Sequence, residues 1–211
     1  MKENYTEVIC IIDESGSMYT LTDDTIGGYN SFIEDQKNSE GQTAVTLVTF
    51  NNTIQTKYEN IDVKDVSKLD KKDYVPNGMT ALLDAVGLTI DKVGKRLAET
   101  PEENRPSKVI VMITTDGQEN ASKEYTRSRV KEMIEEQTNK YNWQFLFAGA
   151  NIDSEKEAES IGINKAFATN YSHNSFGVSS VYRSLSAVSN LIKSNEVTMD
   201  SIEQCYKSTI K

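Results

Sequence analysis

The chain has 211 residues, of which 37% are hydrophobic, and its 32 acidic and 23 basic residues give a formal net charge of −9. This acidic balance excludes a role in coating nucleic acid, which needs an excess of Lys and Arg to neutralise phosphates. The single histidine and the two cysteines exclude a zinc site with four thiolate or imidazole ligands from one chain. The length suffices for a large core that needs neither disulfides nor a structural metal.

Five short apolar runs predict the strands of a sheet, in chain order Val8–Ile12, Ala44–Phe50, Val109–Ile113, Phe145–Ala148 and the weaker Ala166–Ala168. The first and third runs are continuous rather than alternating, which is typical of strands buried on both faces. Asn51 and Asn52 follow the second run as a turn signal. Residues 53–58 are therefore predicted to return antiparallel at an edge of the sheet.

Segments with apolar residues at helical spacing separate these strands, over Ile26–Ile33, Leu82–Leu97, Val130–Gln137 and Val178–Ile192. Strands alternating with helices predict an α/β doubly wound fold, with a mostly parallel central sheet, one antiparallel edge strand and helices on both faces. We expect one domain over residues 1–211, with a core at about 5–193 and a C-terminal extension at 196–211 whose helical pattern is weak. The serine-rich face of the last long helix is expected to contact solvent (Ser179, Ser180, Ser184 and Ser186).

The sequence also gives expectations about location. No basic start followed by an apolar segment opens the chain, and no stretch approaches the ~20 apolar residues that a membrane span requires. Two widely separated cysteines, Cys10 and Cys205, fit reduced thiols. We therefore expect a cytoplasmic protein that binds neither membranes nor nucleic acid, and the oligomeric state is left open.

Polar side chains follow the predicted strands at the sheet edge where ligands bind in open α/β folds. Asp13, Ser15 and Ser17 come after the first strand, and their alternation lets them point to one side of an extended turn. Thr80 lies at the predicted start of the second long helix, and Asp116 follows the third strand. Together these residues offer three hydroxyls and two carboxylates, an oxygen donor set that suits Mg²⁺, Mn²⁺ or Ca²⁺.

The order and spacing of these five residues resemble the metal-ion-dependent adhesion site of von Willebrand factor type A domains. A DxSxS turn, a GxT sequence before a helix and a strand ending in TDG are all intact. The resemblance covers roughly residues 5–193 and is nearest to solitary bacterial proteins of this family. It implies that Ser15, Ser17 and Thr80 contact the metal in the ligand-bound state, whereas the two carboxylates act mostly through water.

Such a site favours a binding function, in which the cation accepts an Asp or Glu side chain from a partner protein. The expected cation is Mg²⁺, with Mn²⁺ or Ca²⁺ as alternatives. No catalytic base or nucleophile accompanies the motif, so we expect no enzymatic activity and no catalytic residues. Two other functions stay open. One is a Mg²⁺-dependent phosphohydrolase or phosphotransferase, although a second Asp at position 15 and a Walker loop are missing. The other, implied by the resemblance alone, is a regulatory subunit of an ATPase or stress-response assembly.

Four residues near the motif have open or minor roles. Asp84 lies one helical turn after Thr80. It either orients Thr80 or a metal-bound water, or it is solvated or stabilises the start of the helix. Glu14 and Glu119 are expected as solvated charges at the rim, where Glu119 could shape the choice of partner. His173 is expected in a loop or at a helix start, without a partner that gives it a chemical role.

Overall fold

The structure is a computed structural model that describes residues 1–209, with side chains to residue 207. The strands over this range are β1 (Lys2–Asp13), β2 (Gln42–Phe50), β3 (Ile54–Asp62), β4 (Pro106–Thr115), β5 (Gln144–Gly149) and β6 (Ala168–Asn170). The α-helices are α1 (Thr22–Lys37), α2 (Leu82–Glu99), α3 (Arg127–Tyr141), α4 (Ser154–Ser160), α5 (Ser175–Ser194) and α6 (Met199–Thr209). Across residues 1–209, none of the helices combines the length and apolar content needed to cross a bilayer.

The six strands form one sheet in the order β3-β2-β1-β4-β5-β6. Neighbouring strands are parallel except for β2 and β3, which form an antiparallel hairpin at one edge. The predicted fold, a mostly parallel sheet with an antiparallel edge strand and helices around it, is therefore confirmed. Because β1 and β4 are adjacent and parallel, the residues that follow them meet at one edge near the middle of the sheet.

The continuous apolar run of β1 reflects burial on both faces of the sheet. Val8, Cys10 and Ile12 belong to the core that packs with α1, α5 and α6. Ile9 and Ile11 belong to the core on the other face, which packs with α2, α3 and α4. Successive residues of a strand point to opposite faces, so a strand between two helical layers needs apolar residues at every position.

Three of the four serines on the serine-rich face of α5 are buried, so the expectation that this face contacts solvent is wrong for them, whereas Ser179 is half-buried. Ser180, Ser184 and Ser186 are at most 5% exposed. The reason is that α5 packs against α1 and α6 as well as against the sheet, which leaves little of its circumference free. Two of the buried hydroxyls have partners: Ser186 Oγ donates to Asp35 Oδ2 in α1 at 2.9 Å, and Ser184 Oγ donates to the backbone oxygen of Ser180 at 3.2 Å.

Candidate metal centre

Asp13 ends β1 at the carboxyl edge of the sheet, and its side chain is buried. One carboxylate oxygen, Oδ1, accepts the backbone N–H of Ser15 at 2.7 Å. The other, Oδ2, accepts the hydroxyl of Thr115, the last residue of β4, at 2.6 Å. Burial raises the pKa of Asp13 to about 6, although the hydrogen bonds from Thr115 and Ser15 act to lower it. The fold thus holds a carboxylate whose negative charge is poorly solvated.

Two serine hydroxyls connect the turn after β1 with the residue after β4. Ser15 Oγ lies 3.1 Å from Ser17 Oγ, and Ser17 Oγ donates to Asp116 Oδ1 at 2.5 Å. Asp116 directly follows β4 and is 3% exposed. The structure therefore brings Asp13, Ser15, Ser17 and Asp116 into one hydrogen-bonded cluster of oxygen donors.

The loop that carries Thr80 is fixed against the turn after β1. Gly16 N–H donates to Gly78 O at 3.0 Å, and Asn77 N–H donates to Glu14 O at 2.9 Å. Gly78 has a φ of +74°, a backbone conformation that residues other than glycine rarely adopt. The glycine lets the backbone of this loop turn closely against the DxSxS segment and carries Thr80 to the same edge of the sheet.

The hydroxyl of Thr80 lies beside the serine cluster. A Cβ added to Gly117 would lie 3.4 Å from Thr80 Oγ1 and 3.9 Å from Ser17 Oγ, so both hydroxyls border the same glycine. Helix α2 begins at Leu82 with Ala81 as its N-cap. Capping of α2 therefore does not compete for the Thr80 hydroxyl, which borders Gly117 together with Ser17 Oγ.

His173 lies in a loop, as expected, and it also reaches this cluster, a contact that the sequence did not predict. Its Nε2 lies 2.8 Å from Asp116 Oδ2, and it comes from the loop between β6 and α5. The sequence carried one weak signal for this contact. Because β6 is parallel to β4 and β5, the loop after it leaves the sheet at the same edge.

The other acidic side chains near the motif fix loops. The expectation that Glu14 and Glu119 are solvated rim charges is wrong, because both carboxylates accept backbone N–H groups. Asp84 also accepts backbone N–H groups from the loop after β4, a role that differs from those left open for it. The donors are Val75 for Glu14, Leu83, Ala121 and Ser122 for Glu119, and Lys123, Glu124 and Tyr125 for Asp84.

The donor set fits a hard divalent cation. Asp13 and Asp116 are buried carboxylates, and within residues 1–209 the one ion-pair contact to either of them comes from His173. Two poorly solvated negative charges favour a bound cation. In the described part of the chain no three His, Cys, Asp or Glu side chains are grouped to hold a metal. A cation here would therefore depend on the three hydroxyls for its remaining protein ligands.

A doubly wound α/β domain with an oxygen-lined site after its central strands is the class that the geometry defines. The sequence model of the von Willebrand factor type A domain matches residues 7–193 of the chain, which belongs to this family. Domains of this family are typically metal-dependent modules for protein interaction and are generally not enzymes. Comparison with curated protein sequences gives no match.

Solved structures share the fold at low sequence identity. A von Willebrand factor type A protein from Catenulispora acidiphila is 20% identical, with a TM-score of 0.61 over 90% of this chain and 43% of its own. Proximal thread matrix protein 1 from the mussel byssus, with a zinc-occupied MIDAS motif, is 16% identical, with a TM-score of 0.59 over 92% and 47%. Manganese-loaded TRAP from Plasmodium vivax is 16% identical, with a TM-score of 0.55 over 82% and 70%. The chain thus spans less than half the length of the first two.

Proposed function

We propose that Asp13, Ser15, Ser17, Thr80 and Asp116 form a metal-ion-dependent adhesion site in a cation-dependent binding module. The observation that carries the proposal is the hydrogen-bonded cluster after β1 and β4, which joins two buried carboxylates to neutral hydroxyls. Mg²⁺ is the first candidate, with Mn²⁺ and Ca²⁺ as alternatives, because all three prefer oxygen ligands. The zinc-occupied and manganese-loaded relatives support a divalent cation at this place.

The chemistry of the residues indicates what the site would bind. Ser15, Ser17 and Thr80 contribute neutral oxygens, so Asp13 and Asp116 are the carboxylates that offset the charge of a cation. A bound divalent cation supplies a concentrated positive charge that attracts an anionic oxygen ligand. We propose that an Asp or Glu side chain of a partner protein provides that ligand. The five residues would bind and orient the cation, and none of them is assigned a catalytic step.

Exposed apolar side chains on the loops around the site support a protein as the partner. Tyr19 follows the DxSxS turn and is 73% exposed, and Met79 immediately precedes the motif threonine and is 51% exposed. Large apolar side chains gathered on one surface mark interaction sites more often than isolated ones do. We propose that loops 18–25, 76–80 and 117–125 form the contact surface around the cation.

Partner capture with matched variants tests the binding function. Immobilised wild-type protein is exposed to extract of the source cells with Mg²⁺ or with a chelator, in parallel with Asp13→Asn, Thr80→Ala and the exposed-site control Asp65→Asn. We expect proteins that are retained by wild type and by Asp65→Asn with Mg²⁺ and lost in the other arms. Each captured partner is then produced with its surface Asp and Glu residues changed to Asn and Gln. Retention that survives both the chelator and Asp13→Asn contradicts the proposal.

The remaining expectations from the sequence stay proposals. They are a single domain over residues 1–211, a cytoplasmic location, a solitary bacterial type and, as an alternative, service in an ATPase or stress-response assembly. The phosphotransfer alternative has a direct test, hydrolysis of p-nitrophenyl phosphate with Mg²⁺ or Mn²⁺. Turnover that disappears in Asp13→Asn would replace the binding module by an enzyme.

A further inference from the structure

The chain contains one histidine, and the fold directs it at the candidate metal centre. His173 Nε2 lies 2.8 Å from Asp116 Oδ2. The Asp116 side chain has no exposed surface, whereas the imidazole is 25% exposed. A nitrogen from the loop after β6 therefore contacts a carboxylate of the site. The five-residue motif, which lies on the loops after β1 and β4 and before α2, does not include it.

The two oxygens of Asp116 have separate partners. Oδ1 accepts the hydroxyl of Ser17, and Oδ2 contacts the imidazole of His173. Ser17 belongs to the hydroxyl cluster that would hold the cation, so Oδ1 is the oxygen on the cation side. His173 holds the opposite oxygen. An imidazole that donates its N–H to a carboxylate fixes the orientation of that carboxylate.

The loop that carries His173 is itself anchored on both sides. Tyr171 Oη donates to the backbone oxygen of Thr115, the residue before Asp116, at 3.1 Å. Asn174 caps α5 by accepting the backbone N–H of Gly177 at 2.8 Å. These contacts restrict the backbone on either side of position 173. The imidazole is therefore presented from a fixed support, as a residue that orients a metal ligand must be.

We propose that His173 is a positioning residue of the metal centre, which donates Nε2–H to Asp116 Oδ2 and keeps Oδ1 directed at the cation. The inference rests on the proposed cation site and extends it to a sixth residue, on the loop after β6. Residues that hold a metal ligand from behind contribute roughly 10–100-fold to metal affinity. Removal of the imidazole should weaken cation binding by a factor in this range and leave the fold unchanged.

Calorimetric titration of Mg²⁺ and Mn²⁺ at one fixed pH tests the affinity. The proteins are wild type, His173→Ala, His173→Gln and Ser172→Ala, an exposed neighbour in the same loop that serves as matched control. We expect roughly 10–100-fold weaker binding in His173→Ala, wild-type binding in Ser172→Ala, and a smaller loss in His173→Gln because its amide can donate in place of Nε2–H. Far-UV circular dichroism without cation should show the same folded structure for all four proteins, although loss of a hydrogen bond to the buried Asp116 should lower the Tm of His173→Ala.

The outcomes separate the two proposals. If wild type binds neither cation, the proposed metal centre fails. If wild type binds and His173→Ala binds equally well, the centre stands and the role of His173 is overturned.

Nitrogen NMR of the single imidazole adds a readout that a merely structural role would not change. On addition of Mg²⁺, Nε2 should keep its proton while its shift moves, and Mn²⁺ should broaden the imidazole signals. With Zn²⁺, we again expect a protonated Nε2. Loss of that proton with direct coordination of zinc would make His173 a ligand and overturn the positioning role. Imidazole signals that respond to none of the cations would overturn it as well.

Discussion

Strand β1 carries two buried carboxylates, Glu7 in its middle and Asp13 at its end, and the fold treats them differently. Glu7 Oε1 accepts Arg96 Nη2 at 2.5 Å and the hydroxyl of Thr46 at 2.9 Å. Asp13 accepts the backbone N–H of Ser15 and a hydroxyl, both uncharged donors. The first carboxylate therefore has a cation supplied by the chain, and among the side chains described, up to residue 207, the second has none.

This difference separates a structural charge from a functional one. The ion pair with Arg96 balances the charge of Glu7 inside the chain, although Glu7 Oε2 is buried without a hydrogen-bond partner. The free energy of unfolding therefore depends on the pair, and no outside cation is required. A buried carboxylate that has only neutral donors keeps an unbalanced charge, and an ion from solution can offset that charge. The comparison predicts that disruption at Glu7 affects folding, whereas disruption at Asp13 affects cation binding.

The largest expected effect comes from removing the partner of Glu7. Arg96→Met leaves a buried carboxylate without its cation, so we expect the free energy of unfolding to fall by about 3 kcal/mol or more. Urea denaturation measures the loss. The double variant Glu7→Gln/Arg96→Met should regain most of it, because an amide needs no cation. Cation affinity, measured by calorimetry, should stay at the wild-type value in both variants. A loss of cation binding in a folded Arg96→Met protein would break the comparison.

The next effect concerns pH and Asp13. Its folded pKa of about 6 lies above the ordinary value of 3.8. Between these two values the folded state binds more protons than the unfolded chain, so this group makes the cation-free protein more stable as the pH falls. The gain from pH 7 to pH 4 is about 3 kcal/mol at most. Asp13→Asn lacks it, so the unfolding free energy of wild type minus that of the variant should rise as the pH falls. If the difference in unfolding free energy between wild type and Asp13→Asn did not depend on pH, burial would not raise the pKa of Asp13.

A slightly smaller effect comes from the cation itself. A ligand at about 100 times its Kd that binds only the folded state raises the free energy of unfolding by about 2.7 kcal/mol. We expect Mg²⁺ or Mn²⁺ to raise the Tm of wild type and of Arg96→Met, and to leave that of Asp13→Asn unchanged. Equal stabilisation of Asp13→Asn would place the cation elsewhere on this acidic chain.

The fold was predictable from the sequence because its main signals are local. The continuous apolar run of β1 reports burial on both faces, and the asparagines after β2 report the hairpin. The serine face of α5 was not predictable in the same way. Helical periodicity identifies the most apolar face, but it does not reveal how many layers cover the helix, and α1 and α6 cover the serines as well.

The candidate site likewise has a part that was predictable from local sequence patterns and a part that was not. The five motif residues lie in short segments tied to strand ends, so topology alone brings them to one edge. The contact between His173 and Asp116 joins residues 57 positions apart. It depends on how the loop after β6 is anchored by Tyr171 and Asn174, which no local pattern encodes. The hydrogen bonds by which Glu119 and Asp84 fix their loops were not predictable for the same reason. Their partners are backbone groups of an irregular segment.

The smallest expected effect concerns a partly buried positive charge, that of Lys193. Lys193 Nζ donates to Gln36 Oε1, Ser39 Oγ and Thr43 Oγ1 at 2.6, 2.7 and 2.9 Å, and none of these acceptors is charged. Burial lowers the pKa of Lys193 to about 8, below its ordinary 10.5. Between these values the unfolded chain binds more protons than the folded one, so this group makes the protein more stable as the pH rises.

Lys193 sharpens the comparison because, unlike Asp13, it has all three of its N–H groups satisfied and offers no opening for an ion. After screening by solvent, we expect its contribution to the rise in unfolding free energy from pH 8 to pH 10 to be about 1 kcal/mol, and to be absent in Lys193→Met. Denaturation of both proteins at the two pH values measures it. Cation affinity should be the same in both, since Lys193 is itself a cation and its side-chain contacts, to Gln36, Ser39 and Thr43, include none of the five motif residues. If Lys193→Met instead changed cation affinity, Lys193 would take part in cation binding. The comparison would then fail to separate the charge that binds an ion from the charge that only stabilises the fold.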